Sequence, residues 1–546
     1  MRRVRASYRA CRAAVHGAAA LALAACSVGP DWAVPKTWVP TSWFASGPLR
    51  PAVASEPAVL PIEPDWWTAF NDPVLTGLVR RVSAENLDVR AAGFRLAQSR
   101  AQRRVSAADQ FPQTNGNGSY TREKQSGRGV SSLLGGTTGT GAGTTDVSTG
   151  GLAGGTTGGT VSGAPGSTAN GLAGRQSGIA GGGSSSMSNP FNLWQYGFDA
   201  SWELDLWGRV RRSVESADAQ LEASGEDRRD TLLSMMAEVA RNYLQLRGTQ
   251  EQLRVTRANL RAAQDTLQVT RSRARTGLAP DLDVQNATAQ VENTAASLPQ
   301  LEQQEAQGMN ALALLLGATP GALRAELAEP RPTPAVPPRV PLGLPSELAR
   351  RRPDVRRAEA QLHSAVAEIG AAQADFFPRI TLSGSLSLQS LQFKDLGNWG
   401  SRTYALGPSI RLPIFQGGRL RATLELRRQQ QQEAATTYQK AVLQAFHDVD
   451  NALIAYNAEQ RRRDGLRREV EANRAALDVA RSRYRSGLSD FLNVLITERS
   501  LLAAEQALAT STATIGTNLV QLYKALGGGW EAEYPREEAV AMRDGP

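Results

Sequence analysis

The residues that could carry out chemistry are few in this sequence, and they do not cluster. It contains three histidines, His16, His363 and His447, and two cysteines, Cys11 and Cys26. None of them has the spacing of a metal site or of a Ser-His-Asp or Cys-His catalytic set. A glycine-rich segment lacks the Gly-Lys-Ser/Thr that a phosphate-binding loop needs. The sequence therefore predicts a protein that is not an enzyme and has neither cofactor nor metal.

Charged residues concentrate instead in a short stretch that the chain contains twice. Residues 271–278 are RSRARTGL, and residues 481–488, 210 positions later, are RSRYRSGL. Such self-similarity indicates a duplicated unit of about 200 residues. Arginines in the last turn of a helix complement its dipole, and Gly277 or Gly487 after them ends the helix and lets the chain reverse. Each copy therefore predicts a helix, a turn and a second helix.

A second offset locates an insertion in the first copy. Phe111-Pro112 and Phe377-Pro378 lie 266 residues apart, 56 more than the two turns. Between Phe111 and Gly208, the run from about 125 to 188 is almost wholly Gly, Ser, Thr and Ala. This composition cannot bury enough apolar surface to offset the entropy of ordering it. We expect an inserted flexible loop; an extracellular lid or surface epitope is the alternative.

The first 25 residues have the features of a secretory signal. Five arginines precede an Ala-rich apolar run that ends in Leu-Ala-Ala-Cys at Cys26. The tetrapeptide resembles a bacterial lipobox, which implies lipidation of Cys26, and Ser27 in place of Asp implies sorting to the outer membrane. Removal of the signal lowers the formal charge from +9 to +4. A basic stripe with interleaved aromatics is absent, so we expect no nucleic-acid partner.

Four segments alternate apolar and polar residues with a period of two, as strands with one apolar face do. They are residues 194–206, 380–388 and 404–414, and more weakly 113–122, where Gly116 and Gly118 replace larger residues. Such strands are typical of transmembrane β-barrels, with a soluble sandwich as the alternative. Four strands cannot close a barrel, and an open edge in lipid leaves backbone groups unsatisfied. Copies must therefore share one barrel, and strand counting alone allows a dimer or a trimer.

The remaining chain is predicted to be helical. Residues 209–276 and 419–486 contain no proline, and at 1.5 Å per residue each would be about 100 Å long. Shorter runs are predicted at 72–110, 281–316, 346–375 and 490–526, and a pair of them laid end to end would match the length of one long helix. Apolar residues recur every seventh position in the first long helix, which indicates a coiled-coil seam: Leu232, Val239, Leu246, Leu253, Leu260 and Leu267. We expect the walls of a tube; a closed soluble bundle is the alternative.

Five motifs, in order, resemble the outer-membrane efflux lipoproteins, the OprM/NodT branch of the TolC-like outer-membrane factors. They are CSVGPDWAVP at 26–35, DWWTAFNDPVL at 65–75, RRPDV at 351–355, FP at 377–378 and YRSGL at 484–488. The resemblance implies an α+β membrane protein with the internally duplicated TolC-like fold. Four strands per chain would contribute to a trimeric, roughly 12-stranded outer-membrane β-barrel, and long coiled-coil helices would form a periplasmic α-barrel.

The repeat and the motifs together suggest domain boundaries. A signal peptide (1–25) would precede a lipidated, extended N-terminal arm (26–64). Repeat 1 (65–320) would contain the insertion, and a Pro-rich linker (321–345) would lead to repeat 2 (346–528). A C-terminal tail (529–546) would end the chain.

The resemblance implies a function as the outer-membrane exit channel of a tripartite efflux system, passively conducting drugs and other toxic small molecules. The protein would be a homotrimer in outer-membrane lipid that spans into the periplasm. It would bind a periplasmic adaptor (membrane fusion) protein and, through it, an inner-membrane pump of the RND type. The duct of a type I protein-secretion system and a non-conducting periplasmic coiled coil are the alternatives.

The resemblance also assigns a gate to the two turns, which would lie at the periplasmic tip. Tyr, Arg and Asp side chains near the second turn would hold the tip closed. The implied gate residues are Arg481, Tyr484, Arg485, Leu488 and Asp490, with Asp281 and Asp283 near the first turn; the implied adaptor-contacting residues are Gly277, Leu278, Gly487 and Leu488.

The chain departs from the family in one place near the second turn. The Tyr-Leu-Asp-Val-Leu-Asp pattern of TolC is FLNVLI at residues 491–496, so both aspartates of that pattern are absent. A ring constriction at the tip would then depend on Asp490 and on apolar residues such as Leu488 or Phe491.

Overall fold

The computed structural model describes residues 27–35, 40, 43, 55–58, 60–124 and 190–534. The predicted signal peptide, the lipidation site Cys26 and the glycine-rich insertion lie outside the described residues. The chain divides into two compact units. We call Met1–Phe111, Glu203–Ile380 and Ile410–Pro546 the helical unit, and Pro112–Trp202 with Thr381–Ser409 the strand unit.

Fifteen helices and strands can be followed through the described residues. In chain order they are β1 (Glu56–Ala58), α1 (Pro73–Glu85), α2 (Leu87–Ala108), β2 (Gln113–Glu123), β3 (Phe191–Leu204), α3 (Arg209–Arg275), α4 (Asp281–Leu315), α5 (Arg324–Leu327), β4 (Arg339–Pro341), α6 (Pro345–Arg351), α7 (Pro353–Ala374), β5 (Arg379–Ser390), β6 (Arg402–Arg411), α8 (Arg419–Arg485) and α9 (Phe491–Ala525).

Six of the described helices form three pairs of equal length, as expected from an internal duplication. The long helices α3 and α8 have 67 residues each, and the helices that follow them, α4 and α9, have 35 each. The helices that precede the paired strands, α2 and α7, have 22 each. The chain is therefore two copies of one helix–strand–strand–helix–helix unit.

Two runs predicted as single helices are each broken once, and that part of the prediction was wrong. Asn86 separates α1 from α2 because its side chain caps α2, accepting hydrogen bonds from the N–H groups of Asp88 and Val89 at 2.9 Å. Arg352 separates α6 from α7 because it precedes Pro353. A residue before proline is pushed out of the α region, and Arg352 has ψ 123°.

Helix α3 is the centre of the helical unit. It packs against α2 and α7 along one part of its length and against α4 and α9 along the other, while α8 packs against both α7 and α9. The layer orders are therefore α2–α3–α7–α8 and α4–α3–α9–α8. In each layer α8 is one edge, and α2 or α4 is the other.

Aromatic residues near both ends of the chain form part of the core of the helical unit. Trp66 and Trp67, from the DWW motif, are fully buried and meet edge to face with ring centroids 5.6 Å apart. Trp66 also stacks on Tyr523 of α9 at 5.4 Å. Trp530, which we assigned to a tail, is fully buried as well. The chain thus remains packed through the described residues at its C-terminal end.

The predicted arm is also held in place along its described residues. Val28 N–H donates to the carbonyl of Trp207 at 3.1 Å, Asp31 pairs with Arg212 at 2.6 Å, and Trp32 stacks on His363 with centroids 4.8 Å apart. Further along, β1 pairs in parallel with β4. The arm is therefore extended, but β1 makes it part of a two-stranded sheet.

The strand unit is a four-stranded sheet with the order β2-β3-β5-β6. The weak strand β2 pairs antiparallel with β3 and places its glycines opposite aromatic residues: Gly116 faces Phe198, and Gly118 faces Tyr196. A Cβ on Gly116 would lie 3.5 Å from the Phe198 ring, so that ring covers the space of the missing side chain. The Phe198 ring thus compensates for the missing side chain at Gly116, whereas the space beside Gly118 is open.

Several large apolar side chains on the sheet are exposed. On β6, Tyr404 is 79% exposed and Leu406 is 80% exposed, and Ile410 follows the same alternation. On β3, Tyr196, Phe198 and Trp202 also count among the exposed apolar side chains. Among the described helices, none combines the length and apolarity needed to cross a membrane.

Candidate functional site

The two predicted turns join the long helices to the helices that follow them. We call residues 276–280, between α3 and α4, turn 1, and residues 486–490, between α8 and α9, turn 2. Gly277 and Gly487 both have φ 74°, a left-handed conformation that glycine adopts without strain. In turn 1, Leu278 N–H donates to Arg273 O at 2.8 Å and Gly277 N–H to Ala274 O at 3.0 Å. The same bonds recur in turn 2 at the same lengths, from Leu488 to Arg483 and from Gly487 to Tyr484. This is the Schellman arrangement of a helix end.

Tyr484, a predicted gate residue, lies inside the packed end of the helical unit. It is 5% exposed, and its ring meets the buried Phe491 edge to face at 5.6 Å. Its hydroxyl has no hydrogen-bond partner among the described residues. Both rings belong to an apolar cluster that includes Leu267, Val291, Leu477, Val494 and Leu495. Tyr484 therefore joins helices of both repeats by packing.

Arg273 is the residue that connects the two turns, and sequence reasoning missed it. Its Nη1 donates to the carbonyls of Tyr484 at 2.6 Å and Arg485 at 2.9 Å. Its guanidinium carbon lies 4.7 Å from the centre of the Tyr484 ring, in cation–π range. The carbonyls at a helix end lack intrahelical partners and carry the negative end of the dipole. Arg273 of α3 therefore caps α8.

Arg481, another predicted gate residue, is engaged within its own chain. Its Nη2 donates to Glu498 Oε1 at 2.8 Å, and the side chain of Glu498 is 9% exposed. The same oxygen accepts a hydrogen bond from Thr266 at 2.8 Å. Arg481 therefore helps to hold α8, α9 and α3 together beside turn 2.

Two of the predicted aspartates, one from each repeat, lie close enough to interact. Burial and then the negative charge of Asp490 raise the pKa of Asp283, while Arg273 opposes the shift. Asp490 occupies the N-cap position of α9 and is exposed, and its side chain makes no capping hydrogen bond. Asp281 is exposed in the first turn of α4. The structure thus brings Asp283, Asp490 and Arg273 into one charged group, while Asp281 lies on the adjacent surface.

The outer surface of the turns is apolar and basic. Leu278 is 67% exposed and Leu488 is 74% exposed, and Arg485, the last residue of α8, is exposed as well. Leu282 and Leu492 extend the apolar surface onto α4 and α9. Exposed apolar groups rimmed by charge are a common feature of protein-binding surfaces. Within the described ranges, no group of His, Cys, Asp and Glu side chains could hold a metal ion.

Comparison with known proteins places this geometry among outer-membrane channels. The family model for "Outer membrane efflux protein" matches residues 165–318 and 344–528. The pyoverdine export outer membrane protein OpmQ of Pseudomonas aeruginosa is 33% identical over 88% of this chain and 90% of its own length. Outer membrane protein OprJ of the same organism is 31% identical over 94% of this chain and 95% of its own. The solved structure of the outer-membrane channel OprN has a TM-score of 0.76 and 33% identity, covering 93% of this chain and all of that one.

Proposed function

Because this chain belongs to the outer membrane efflux protein family, we propose that it is the exit channel of a tripartite efflux system. It lies in the outer membrane and spans into the periplasm. Small toxic molecules pass through it passively, since the energy for transport comes from its partners. The alternation of exposed apolar side chains on the sheet, clearest at Tyr404, Leu406 and Ile410 of β6, is the observation that carries this proposal. Such strands suit a barrel whose outer face contacts lipid.

A homotrimer accounts for the edges that a single chain leaves open. Strands β2 and β6 are the edges of the four-stranded sheet, and backbone groups at such edges cannot remain unpaired in lipid. In the helical unit, α8 is an edge in both layers, opposite α2 in one and α4 in the other. Three copies joined edge to edge would give about 12 strands, within the range of closed barrels, and a ring of helices around one bore.

The partners follow from the turns and from the lipid anchor. The exposed Leu278 and Leu488 beside Gly277 and Gly487 suit contact with a periplasmic adaptor protein, which links the channel to an inner-membrane pump of the RND type. Lipidation of Cys26 anchors the arm in the outer membrane. The arm contacts at Val28, Asp31 and Trp32 support this, since they hold the segment that follows the anchor.

The gate lies at the two turns. Asp283 and Asp490 repel each other, and Arg273 offsets that repulsion. Tyr484 and Arg481 fix the ends of the helices from inside, and Leu488, Arg485 and Asp281 line the surface. The adaptor biases this end between a closed and an open arrangement.

Ion conductance tests this proposal directly. Purified protein added to a planar lipid bilayer should produce stepwise ion currents, because a trimeric channel provides one water-filled path per insertion event. Protein denatured before addition is the control and should give no steps. Native trimers that associate with the bilayer but leave its current unchanged would contradict a conducting function.

A further inference from the structure

Arg483 occupies the position in turn 2 that Arg273 occupies in turn 1, 210 residues earlier. Each arginine supplies the carbonyl that closes its own Schellman turn, at the same 2.8 Å. Their side chains differ. Arg273 donates to two carbonyls at the end of α8, whereas Arg483 is exposed and its guanidinium has no partner in the described part of the chain.

The acceptors that Arg273 uses also have counterparts in turn 1. Tyr484 and Arg485 correspond to Ala274 and Arg275, and the identical turn geometry presents their carbonyls in the same way. Within the described residues, no side chain donates to the carbonyls of Ala274 and Arg275. The described part of one chain thus contains an arginine without acceptors and a matching pair of carbonyl acceptors without an arginine.

We propose that Arg483 donates to the backbone carbonyls of Ala274 and Arg275 in a second copy of this chain. The proposal rests on the trimer proposed above. In a closed ring of three copies, turns 1 and 2 alternate, so each turn 2 lies between its own turn 1 and that of the next copy. Arg273 connects turn 2 to turn 1 of its own chain, which we call the junction within one chain. Arg483 connects turn 2 to turn 1 of the next copy by the same contact, which we call the junction between copies. The chemistry is a cation on the negative end of a helix dipole.

The two kinds of junction are not equally strong. The guanidinium of Arg273 also lies 4.7 Å from the centre of the Tyr484 ring, but alanine takes the place of that tyrosine in turn 1. The junction between copies therefore lacks a cation–π contact that the junction within one chain has. When the tip opens, the contacts between copies should therefore separate before the Arg273 contacts within each chain do.

Thiol cross-linking tests the contact between copies. Arg483→Cys combined with Arg275→Cys, treated with a short bis-maleimide, should give covalent dimers and trimers on a denaturing gel. The sequence has only two cysteines of its own, Cys11 and Cys26, so the background is low. The matched control is Arg273→Cys with Arg485→Cys, the same pair of positions within one chain. It should leave the monomer band and give one internal cross-linked peptide in a protease digest.

The outcomes separate this inference from the trimer itself. If light scattering shows a trimer and the control pair cross-links internally, but the 483/275 pair yields monomers only, the Arg483 contact is wrong and the trimer stands. If the unmodified protein is a monomer in mild detergent, the proposed trimer fails first.

Discussion

Replacing Arg352 with alanine should lower the free energy of unfolding by about 3–5 kcal/mol, the range for breaking a buried ion pair by removing one partner. Arg352 is 8% exposed. It donates to Asp354 at 3.0 and 2.7 Å, to Asp448 at 2.9 Å and to the carbonyl of Ala525 at 3.0 Å. Burial alone would raise the pKa of Asp354, but the hydrogen bonds and charge of Arg352 lower it. Without the arginine, two carboxylates and a helix-end carbonyl lose their partner.

Urea denaturation in mild detergent, followed by tryptophan fluorescence, measures this loss. Trp66, Trp67 and Trp530 are buried in the helical unit and report its unfolding. Arg350→Ala is the matched control, because Arg350 lies in the last turn of α6, just before Arg352, and is exposed without a hydrogen bond or ion pair among the described residues. It should change stability by no more than about 0.5 kcal/mol. Equal midpoints for the two variants would show that the Arg352 network does not stabilise the fold.

Replacing Arg273 with glutamine should raise the open probability of the channel in planar bilayers by about tenfold or more. The variant loses two hydrogen bonds from a charged donor, each worth about 1.5–3 kcal/mol, and the contact with the Tyr484 ring. Every 1.4 kcal/mol lost from the closed state alone shifts the equilibrium about tenfold. The charge that offsets the repulsion between Asp283 and Asp490 is also removed.

Arg271→Gln is the control for that measurement. Arg271 lies about half a turn earlier on α3, is exposed, and makes no side-chain hydrogen bond or ion pair within the described residues, yet its replacement removes the same charge. The open probability of this variant should match that of the unmodified protein. An equal rise in both variants would mean that net charge at the tip, rather than the Arg273 contacts, controls opening.

The periodic elements of this fold were predictable because their signals are local. The long helices, predicted at 209–276 and 419–486, are Arg209–Arg275 and Arg419–Arg485, since an abrupt glycine stop marks each C-terminal end. Each end of the four predicted strands lies within three residues of the observed end. The prediction worked because a period of two kept over about ten residues does not fit a helix. The breaks at Asn86 and Arg352 have local causes as well, a capping residue and a proline, but a continuous helical pattern obscured both.

The arrangement at the turns was not predictable in the same way. All three arginines, Arg271, Arg273 and Arg275, would complement the helix dipole equally well. Only the packing of α3 beside α8 determines that Arg273 caps the neighbouring helix. The burial of Tyr484 and the pairing of Arg481 with Glu498 likewise depend on contacts between distant segments. The RRPDV motif was informative as a resemblance, and the structure shows what its residues do. Arg352 caps α9, Pro353 starts α7, and Asp354 accepts a hydrogen bond from Arg352.

The measurement that tests the central claim most directly is the structure of the purified protein by single-particle cryo-electron microscopy in mild detergent. We expect three copies around one axis, with their four-stranded sheets closed into a single barrel and their helices arranged in a hollow ring. Particles containing one copy, with an open sheet and no tunnel along the helices, would contradict it.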